Sequence, residues 1–328
     1  MADTLLLTGA DGYVGQRLAE RLGRHVEVIG ISRSGTRGIR CELMDEGALD
    51  DVARSVSPRW IVHAAGNKDI AACERTPMLA YDANVRTAMN LLRAWPDVPM
   101  FYLSSDYVFP GTRGYYSESS PVSPMTTYGR SKLCAEVTGT LTAPGRFTAV
   151  RVSALYDASA KFLTFLDTEL RAGRPVDCYI DSFYSPTYVD DFASAMLSLL
   201  STPNRPEVIH IAGERISRFE FARKFANAMG FDASLIRPVP LDRVNTTLCS
   251  DLSLSTILAS ERYDYSPTPH DAALRRIARG VNHADADTLS PVLRFEGANA
   301  RGRERRAVGR DQLHRDRRVL HAWGSLSS

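Results

Sequence analysis

The stretch that most restricts the fold of this chain runs from Thr4 to Leu22. Thr4-Leu5-Leu6-Leu7-Thr8 is a short apolar run, the pattern of a strand buried on both faces. It leads into Gly9-Ala10-Asp11-Gly12-Tyr13-Val14-Gly15, and Gln16 to Leu22 then carries helical spacing. Strand, glycine turn and helix in that order are the context of a dinucleotide-binding loop. Gly9 permits the tight turn, Gly12 lets the backbone approach a pyrophosphate, and Gly15 lets helix and strand pack closely. The pyrophosphate would sit at the positive end of the helix, beside Asp11, Tyr13 and Val14. A chain that begins this way is expected to build an α/β fold around a doubly wound parallel sheet of the Rossmann type.

The elements that follow suit such a sheet. His25 to Ile31 reads as the second strand. NAD sites carry an acid at the end of this strand for the ribose 2′-hydroxyl, but here the strand ends in Ser32-Arg33-Ser34. An arginine among hydroxyls suits a 2′-phosphate, so NADP is the expected cofactor, with NAD second. Cys41-Glu42-Leu43 is expected to end a third strand and to face the adenine. Asp50 to Val56 reads as helix. Trp60 to Gly66 reads as a fourth strand whose small terminal residues, Ala64, Ala65 and Gly66, let the cofactor lie across its end; His63 within it reads as a packed residue. Tyr81 to Trp95 reads as one helix with Asn84 turned inward. Met100 to Phe109 reads as the fifth strand, and Ser104, Ser105, Asp106 and Tyr107 stand toward its carboxyl end, where ligands of open parallel sheets bind. The Gly-, Ser- and Pro-rich loop 110–124 reads equally as a lid over substrate and as plain surface.

Tyr128 and Lys132 come next, four residues apart and therefore on one helix face. An ammonium beside a phenol favours the phenolate. Tyr128 is therefore expected to titrate below its ordinary value of about 10 and to serve as an acid–base group near neutral pH.

In the second half, Phe147 to Val152 reads as the sixth strand and Ala160 to Ala172 as a helix. Thr187 to Asp191 opens a further helix through Leu200, with Asp190 or Asp191 as its cap rather than a metal ligand. Val208 to Gly213 reads as a strand. Ser217 and Glu220 form a capping box before a helix to Met229. These pieces suit a smaller lobe that selects the substrate, with Arg237 or Arg243 as candidates to meet a diphosphate. The expected division is a cofactor-binding domain over 1–150, rejoined by about 185–205, a substrate lobe over 151–280, and an Arg-rich tail over 281–328 that reads as disordered.

Charge and cysteine usage exclude several classes. The net charge of +2 arises in the tail, whose nine arginines and six acids leave 31 basic against 32 acidic residues elsewhere. The body thus gives no electrostatic case for nucleic acid. No apolar run is long enough for a membrane helix, and the first residues do not read as a secretory signal. The five cysteines are scattered without a CxxC pair, which argues against a zinc site or disulfide frame and for a cytoplasmic protein. No metal is expected.

Taken together, the loop TGADGYVG at 8–15, the strand end HAAG at 63–66, SSDYVF at 104–109 and YGRSK at 128–132 resemble the extended short-chain dehydrogenases/reductases in order and spacing. Within them the chain is most similar to the dTDP-4-dehydrorhamnose reductases, a likeness that PTYVDDFA, IHIAGERISRFEFA and SDLSLSTILASERYDYSPTP extend over about residues 4–279. The resemblance implies NADPH-dependent reduction of a nucleotide-diphospho-4-keto-6-deoxysugar. In that role Tyr128 would protonate the carbonyl oxygen. Lys132 would hold the nicotinamide ribose, and Ser105 would hydrogen-bond the carbonyl. Gly9, Gly12 and Gly15 would cradle the pyrophosphate, and Asp106 and Tyr107 would touch the sugar. A nucleotide sugar is then the partner, and a homodimer the candidate assembly. One rival is an epimerase or dehydratase of the same fold; these sugar dehydratases carry an Asp-Glu pair where this chain has Asp106-Tyr107. Another is a cofactor-binding regulatory subunit without turnover, against which the intact Ser105, Tyr128 and Lys132 set argues. Two departures stand out: Ala154 replaces an aromatic wall residue, and the tail has no counterpart.

Overall fold

The computed structural model describes residues 3–241 and 249–287. Leu5 and Leu7 pack to one side of a central sheet and Leu6 to the other. Both faces are covered, which is why the first strand is apolar without alternation. The strands of this sheet are β1 (Thr4–Thr8), β2 (Glu27–Ser32), β3 (Ile39–Arg40), β4 (Trp60–His63), β5 (Met100–Ser105), β6 (Phe147–Val152) and β7 (Val208–His210). Their order is β7-β6-β5-β4-β1-β2-β3, and every pairing is parallel. The strand order reverses between β1 and β4, so a crevice opens beyond their carboxyl ends.

Helices cover both faces. α1 (Tyr13–Leu22) supplies Leu18 and Leu22 to one layer. On the other face lie α2 (Glu46–Ser55) and, beyond the short α3 (Ile70–Arg75) and α4 (Pro77–Tyr81), α5 (Thr87–Ala94) and α6 (Thr127–Thr142). The chain then builds most of a second core, beginning with α7 (Lys161–Arg171). It returns to the first layer with α8 (Val189–Ser201), whose Phe192, Met196 and Leu199 join Leu18 and Leu22. After β7 the chain crosses back to α9 (Arg218–Met229). A parallel pair, Val176–Tyr179 with Ile236–Val239, flanks it. α10 (Ile257–Tyr263) rejoins the sheet layer, and α11 (His270–Asp287) closes the second core on Phe162, Leu166, Phe221 and Phe225.

The capping box opens α9 as expected, with Ser217 and Glu220 each bonded to the other's backbone. Several boundaries differ from the sequence reading. β5 stops at Ser105, because the Ser105 hydroxyl accepts the Tyr107 N–H and turns residues 106–108 into a 3₁₀ turn. Cys41, Glu42 and Leu43 follow β3 rather than end it. The helix expected over 81–95 is interrupted by a π-helical turn, Asp82–Arg86, that carries Asn84. Neither Asp190 nor Asp191 caps α8: Tyr188 is at the cap position, Asp190 pairs with Arg21, and Asp191 accepts two bonds from Thr268. α11 runs through Asp287, so a tail beginning at 281 would start inside a helix; the rest of that tail lies outside the described residues. Among the described residues no helix is long and apolar enough to cross a membrane.

Candidate active site

At the carboxyl ends of β1, β2, β4 and β5 lies a cavity of about 1610 Å³. A pocket for one drug-sized ligand usually has about 300–1,000 Å³, so this one has room for two ligands side by side. Its walls bring together residues separated by more than a hundred positions in sequence. Gly9, Asp11, Gly12, Tyr13, Val14 and Gly15 form one end, with Ser32 and Arg33, Glu42 and Leu43, and Ala64, Ala65 and Gly66. Ser104, Ser105, Asp106, Tyr107, Tyr128 and Lys132 form the middle. The second core closes the far side with Tyr156, Phe162, Tyr184 and Arg218.

The glycine end is shaped for close approach. Gly9 has φ +68, and a Cβ on Gly15 would lie 2.1 Å from the Gly9 carbonyl oxygen, so only glycine lets α1 rest on β1 here. Gly12 occupies the N-cap of α1 and offers no side-chain cap, leaving the first N–H groups of the helix to whatever fills the cavity. The Asp11 carboxylate accepts from the hydroxyls of Ser32 and Ser34 and from Thr36 N–H. These bonds, the Ser32 bond first, hold it below the usual carboxylate range. Its Oδ1 is buried with no hydrogen-bond partner among the described residues. An orphaned acceptor beside a glycine cradle suits a ribose hydroxyl. Arg33 stands beside these serines on the cavity wall.

Tyr128 and Lys132 project from the first two turns of α6. Thr126 caps this helix through the Gly129 N–H, and Glu74 accepts from both the N–H and the hydroxyl of Thr127. A Cβ on Gly129 would lie 2.1 Å from the Tyr107 carbonyl oxygen. The glycine between the two site residues therefore lets α6 touch the turn after β5 and sets Tyr128 beside the Ser105 hydroxyl. Asn84 ties the next layer together. Its amide donates to Ser131 Oγ (2.9 Å) and to the Asn67 carbonyl (3.0 Å), and its Oδ1 accepts from the Asn67 N–H (2.9 Å). A π-turn carrying a bond-forming buried residue is a common device at functional sites.

The electrostatics correct one expectation. Tyr128 is not made more acidic. Burial raises its pKa, and neighbouring Asp106 adds to this, against the Ser105 bond that lowers it. Lys132 does not reach the phenol. Its Nζ donates to the Leu103 carbonyl at 2.8 Å, 4.5 Å from the Tyr102 ring centroid and 6.0 Å from that of Tyr128. Burial pushes the ammonium down to about 7, so the charge expected to stabilise a phenolate is itself partly lost. Burial also pushes Asp106 up to about 6, against the nearby Ser153 hydroxyl, the bond from Ser105 and the charge of Arg218.

The remaining candidates separate cleanly. The Ser104 hydroxyl donates to Glu136, which is locked in a buried ion pair with Arg151 (2.6 Å), so only the rest of Ser104 faces the cavity. His63 bonds Thr8 (2.6 Å) and Thr87 (3.2 Å), is fully buried, and is pushed down to about 3 by burial. Arg237 pairs with Asp177 away from the cavity; Arg243 lies outside the described residues. The loop 110–124 does not line the cavity. It is pinned by Tyr116 stacked on Phe109 at 4.4 Å and by Glu118 accepting the His210 N–H. Among the described residues there is no group of acidic, histidine or cysteine side chains that could hold a metal. Sequence reasoning missed Lys68, Lys161, Ser153 and Arg218 on the cavity wall. The available signal was rarity: the chain has four lysines, and three face this space.

Comparison with known proteins gives the same picture. A family model described as the RmlD substrate binding domain matches residues 3–279. The methionine adenosyltransferase 2 subunit beta of Xenopus tropicalis is 30% identical over 259 residues, 74% of this chain and 77% of its own. The dTDP-4-dehydrorhamnose reductase of Mycobacterium tuberculosis is 30% identical over 248 residues, 73% and 79%. Among solved structures, a hypothetical dTDP-4-dehydrorhamnose reductase from Sulfolobus tokodaii superposes with TM-score 0.73 at 29% identity, covering 82% of this chain and 98% of that one. The Bacillus anthracis dTDP-4-dehydrorhamnose reductase, solved in complex with NADP, has TM-score 0.77 at 22% identity, covering 85% and 99%.

Proposed function

We propose that this chain, which belongs to the RmlD substrate binding domain family, is a cytoplasmic NADPH-dependent reductase of a nucleotide-diphospho-4-keto-6-deoxysugar. The observation that carries the reading is the convergence of Ser105, Tyr128 and Lys132 in the middle of a cavity whose one end is a glycine cradle. The cradle fits a dinucleotide. The uncapped start of α1 offers N–H donors to a pyrophosphate, Asp11, held by Ser32, an acceptor to a ribose hydroxyl, and Arg33 a cation to a 2′-phosphate. When bound, the nicotinamide supplies the hydride.

The chain's own residues do the rest. The Ser105 hydroxyl, which donates to Asp106 in the ligand-free chain, turns to donate to the keto oxygen and fixes it beside the Tyr128 phenol. Negative charge gathers on that oxygen as the carbonyl is reduced, and Tyr128 then releases its proton to it. Burial has raised the phenol's pKa, so the proton leaves only as negative charge builds on the neighbouring oxygen. Lys132, held at the Leu103 carbonyl, presents its remaining N–H donors to the nicotinamide ribose. Asp106 and Arg218 face the sugar. Cofactor-coupled disappearance of NADPH with a dTDP-4-keto-6-deoxysugar, and with no net consumption in its absence, is the test. Binding of NADPH without turnover on any keto sugar would refute it.

The second reading is a cofactor-binding regulatory subunit. Its support is the equal 30% identity to relatives named methionine adenosyltransferase 2 subunit beta. On that reading the cavity holds a dinucleotide and Tyr128 never gives up its proton.

A further inference from the structure

The proposal below rests on the nucleotide-sugar reading of the cavity and deepens it. Of the four lysines in the chain, Lys224 is paired with Asp271 and Lys132 donates to the Leu103 carbonyl. Lys68 and Lys161 also line the cavity, yet neither has an ion pair or a side-chain hydrogen bond among the described residues. The acids nearest in sequence are already engaged. Asp69 caps α3 through the Ala72 N–H. Asp157 accepts from Tyr13, Arg17 and Ser159. Two cations lining one cavity with no counter-anion among the described residues are an arrangement that an anion completes.

Position points to the kind of anion. Lys68 Nζ lies 5.7 Å from the ring centroid of Tyr13, the first residue of α1, and its loop is held by the Asn84 bonds to Asn67. Lys161 is the first residue of α7, and Ala160 at the cap position contributes no side-chain bond. The two side chains thus stand where the starts of a ten-residue and an eleven-residue helix face the same space. Desolvation of the ammonium, with the charge of Lys161 second, lowers Lys68 to about 8 although much of its side chain is exposed. Lys161 stands exposed on α7, a helix that packs into the second core, so an anion held by both lysines would bridge the two parts of the molecule.

We propose that Lys68 and Lys161 form a clamp for a diphosphate linkage, closing the cavity from its two sides. Two ligands could bring that group: the nucleotide sugar and the dinucleotide cofactor. Full-length Lys68→Gln, Lys161→Gln and the double variant would be titrated with inorganic pyrophosphate, with dTDP, and with NADPH. The double variant is expected to lose pyrophosphate and dTDP by about tenfold or more, the scale of losing close charge contacts, with NADPH changed less than about twofold and a shallower salt dependence for dTDP. The Lys-to-Arg double variant is expected to restore most of the loss. Weakening of NADPH with dTDP unchanged assigns the same clamp to the cofactor. Unchanged affinity for all three overturns the proposal. Binding is read without turnover, so the proposals fail separately: a wild-type chain that takes pyrophosphate through these lysines but does not take dTDP keeps the clamp and sinks the dTDP-sugar reading.

Discussion

Asp106→Asn gives the most direct test of how the cavity is built. Asp106 is 5% exposed and receives the Ser105 hydroxyl at 2.9 Å. Burial raises its pKa from 3.8 to about 6 in spite of Ser153, Ser105 and Arg218. The sign follows from linkage. A carboxyl whose folded pKa lies above its unfolded value favours folding in the protonated form, so its contribution is complete below about 4 and is lost as pH rises through about 6. At about 1.4 kcal/mol per pH unit, the full loss is about 3 kcal/mol. Roughly half has already developed by about pH 5, leaving about 1.5 kcal/mol to appear between about pH 5 and pH 8. Asparagine keeps the oxygen that accepts from Ser105 and removes the charge. The ligand-free variant should therefore gain about 1.5 kcal/mol on the wild type across that interval, read from urea unfolding at the two pH values with matched slopes. A wild-type-to-variant difference that is the same at both pH values would refute the claim that the carboxylate is held in a desolvated place. If Asp106 meets the sugar as proposed, the same variant should bind substrate more weakly, since a carboxylate acceptor on the cavity wall is exchanged for an amide that must choose its orientation.

Other substitutions probe the remaining parts. Tyr128→Phe should abolish NADPH oxidation with the keto sugar while leaving NADPH affinity within about threefold, because only the proton is removed; unchanged turnover would take the acid role from Tyr128. Arg33→Ala should weaken NADPH more than NADH, measured by fluorescence titration, and an equal loss for both would remove the 2′-phosphate argument. Arg151→Met leaves the buried Glu136 carboxylate without its partner and should cost about 3–5 kcal/mol of stability, seen as a lowered thermal midpoint; a Glu136→Gln second change should recover part of it.

How much of this was legible in the sequence depended on whether backbone geometry dictates the residue. The glycine loop and the glycine between Tyr128 and Lys132 stand where another side chain would collide with Gly9 or Tyr107. A geometric need of that kind leaves a mark at a definite spacing: the candidates named from the glycine loop, the strand ends and the Tyr128–Lys132 pair all line this cavity, whereas Arg237, named from charge alone, does not. Solvation leaves no such mark. The acidity of Tyr128 turned on how deeply the phenol sits and on where Lys132 points, and four-residue spacing speaks to neither. The end of β5 was hidden for a different reason: residues 106–109 stay apolar enough to extend a strand, and the turn is made by a hydroxyl reaching back to the Tyr107 N–H. Lys68 and Lys161 belong to no motif and lie 93 positions apart, so only the folded chain sets them around one cavity.

The return of α8 and β7 to the sheet has a bearing on how such a protein could be taken apart. A gene fragment ending at residue 150 would encode the whole glycine cradle and both Tyr128 and Lys132. It would nonetheless strip Phe192, Met196, Leu199 and Ile209 from the apolar layer that holds Phe101 and Val150, and it would leave β6 as a bare edge ready to pair with a neighbour. The nucleotide-holding half is thus not a portable module. Its last wall is encoded after the second core has begun, so the two parts have to be inherited, expressed and exchanged as one piece.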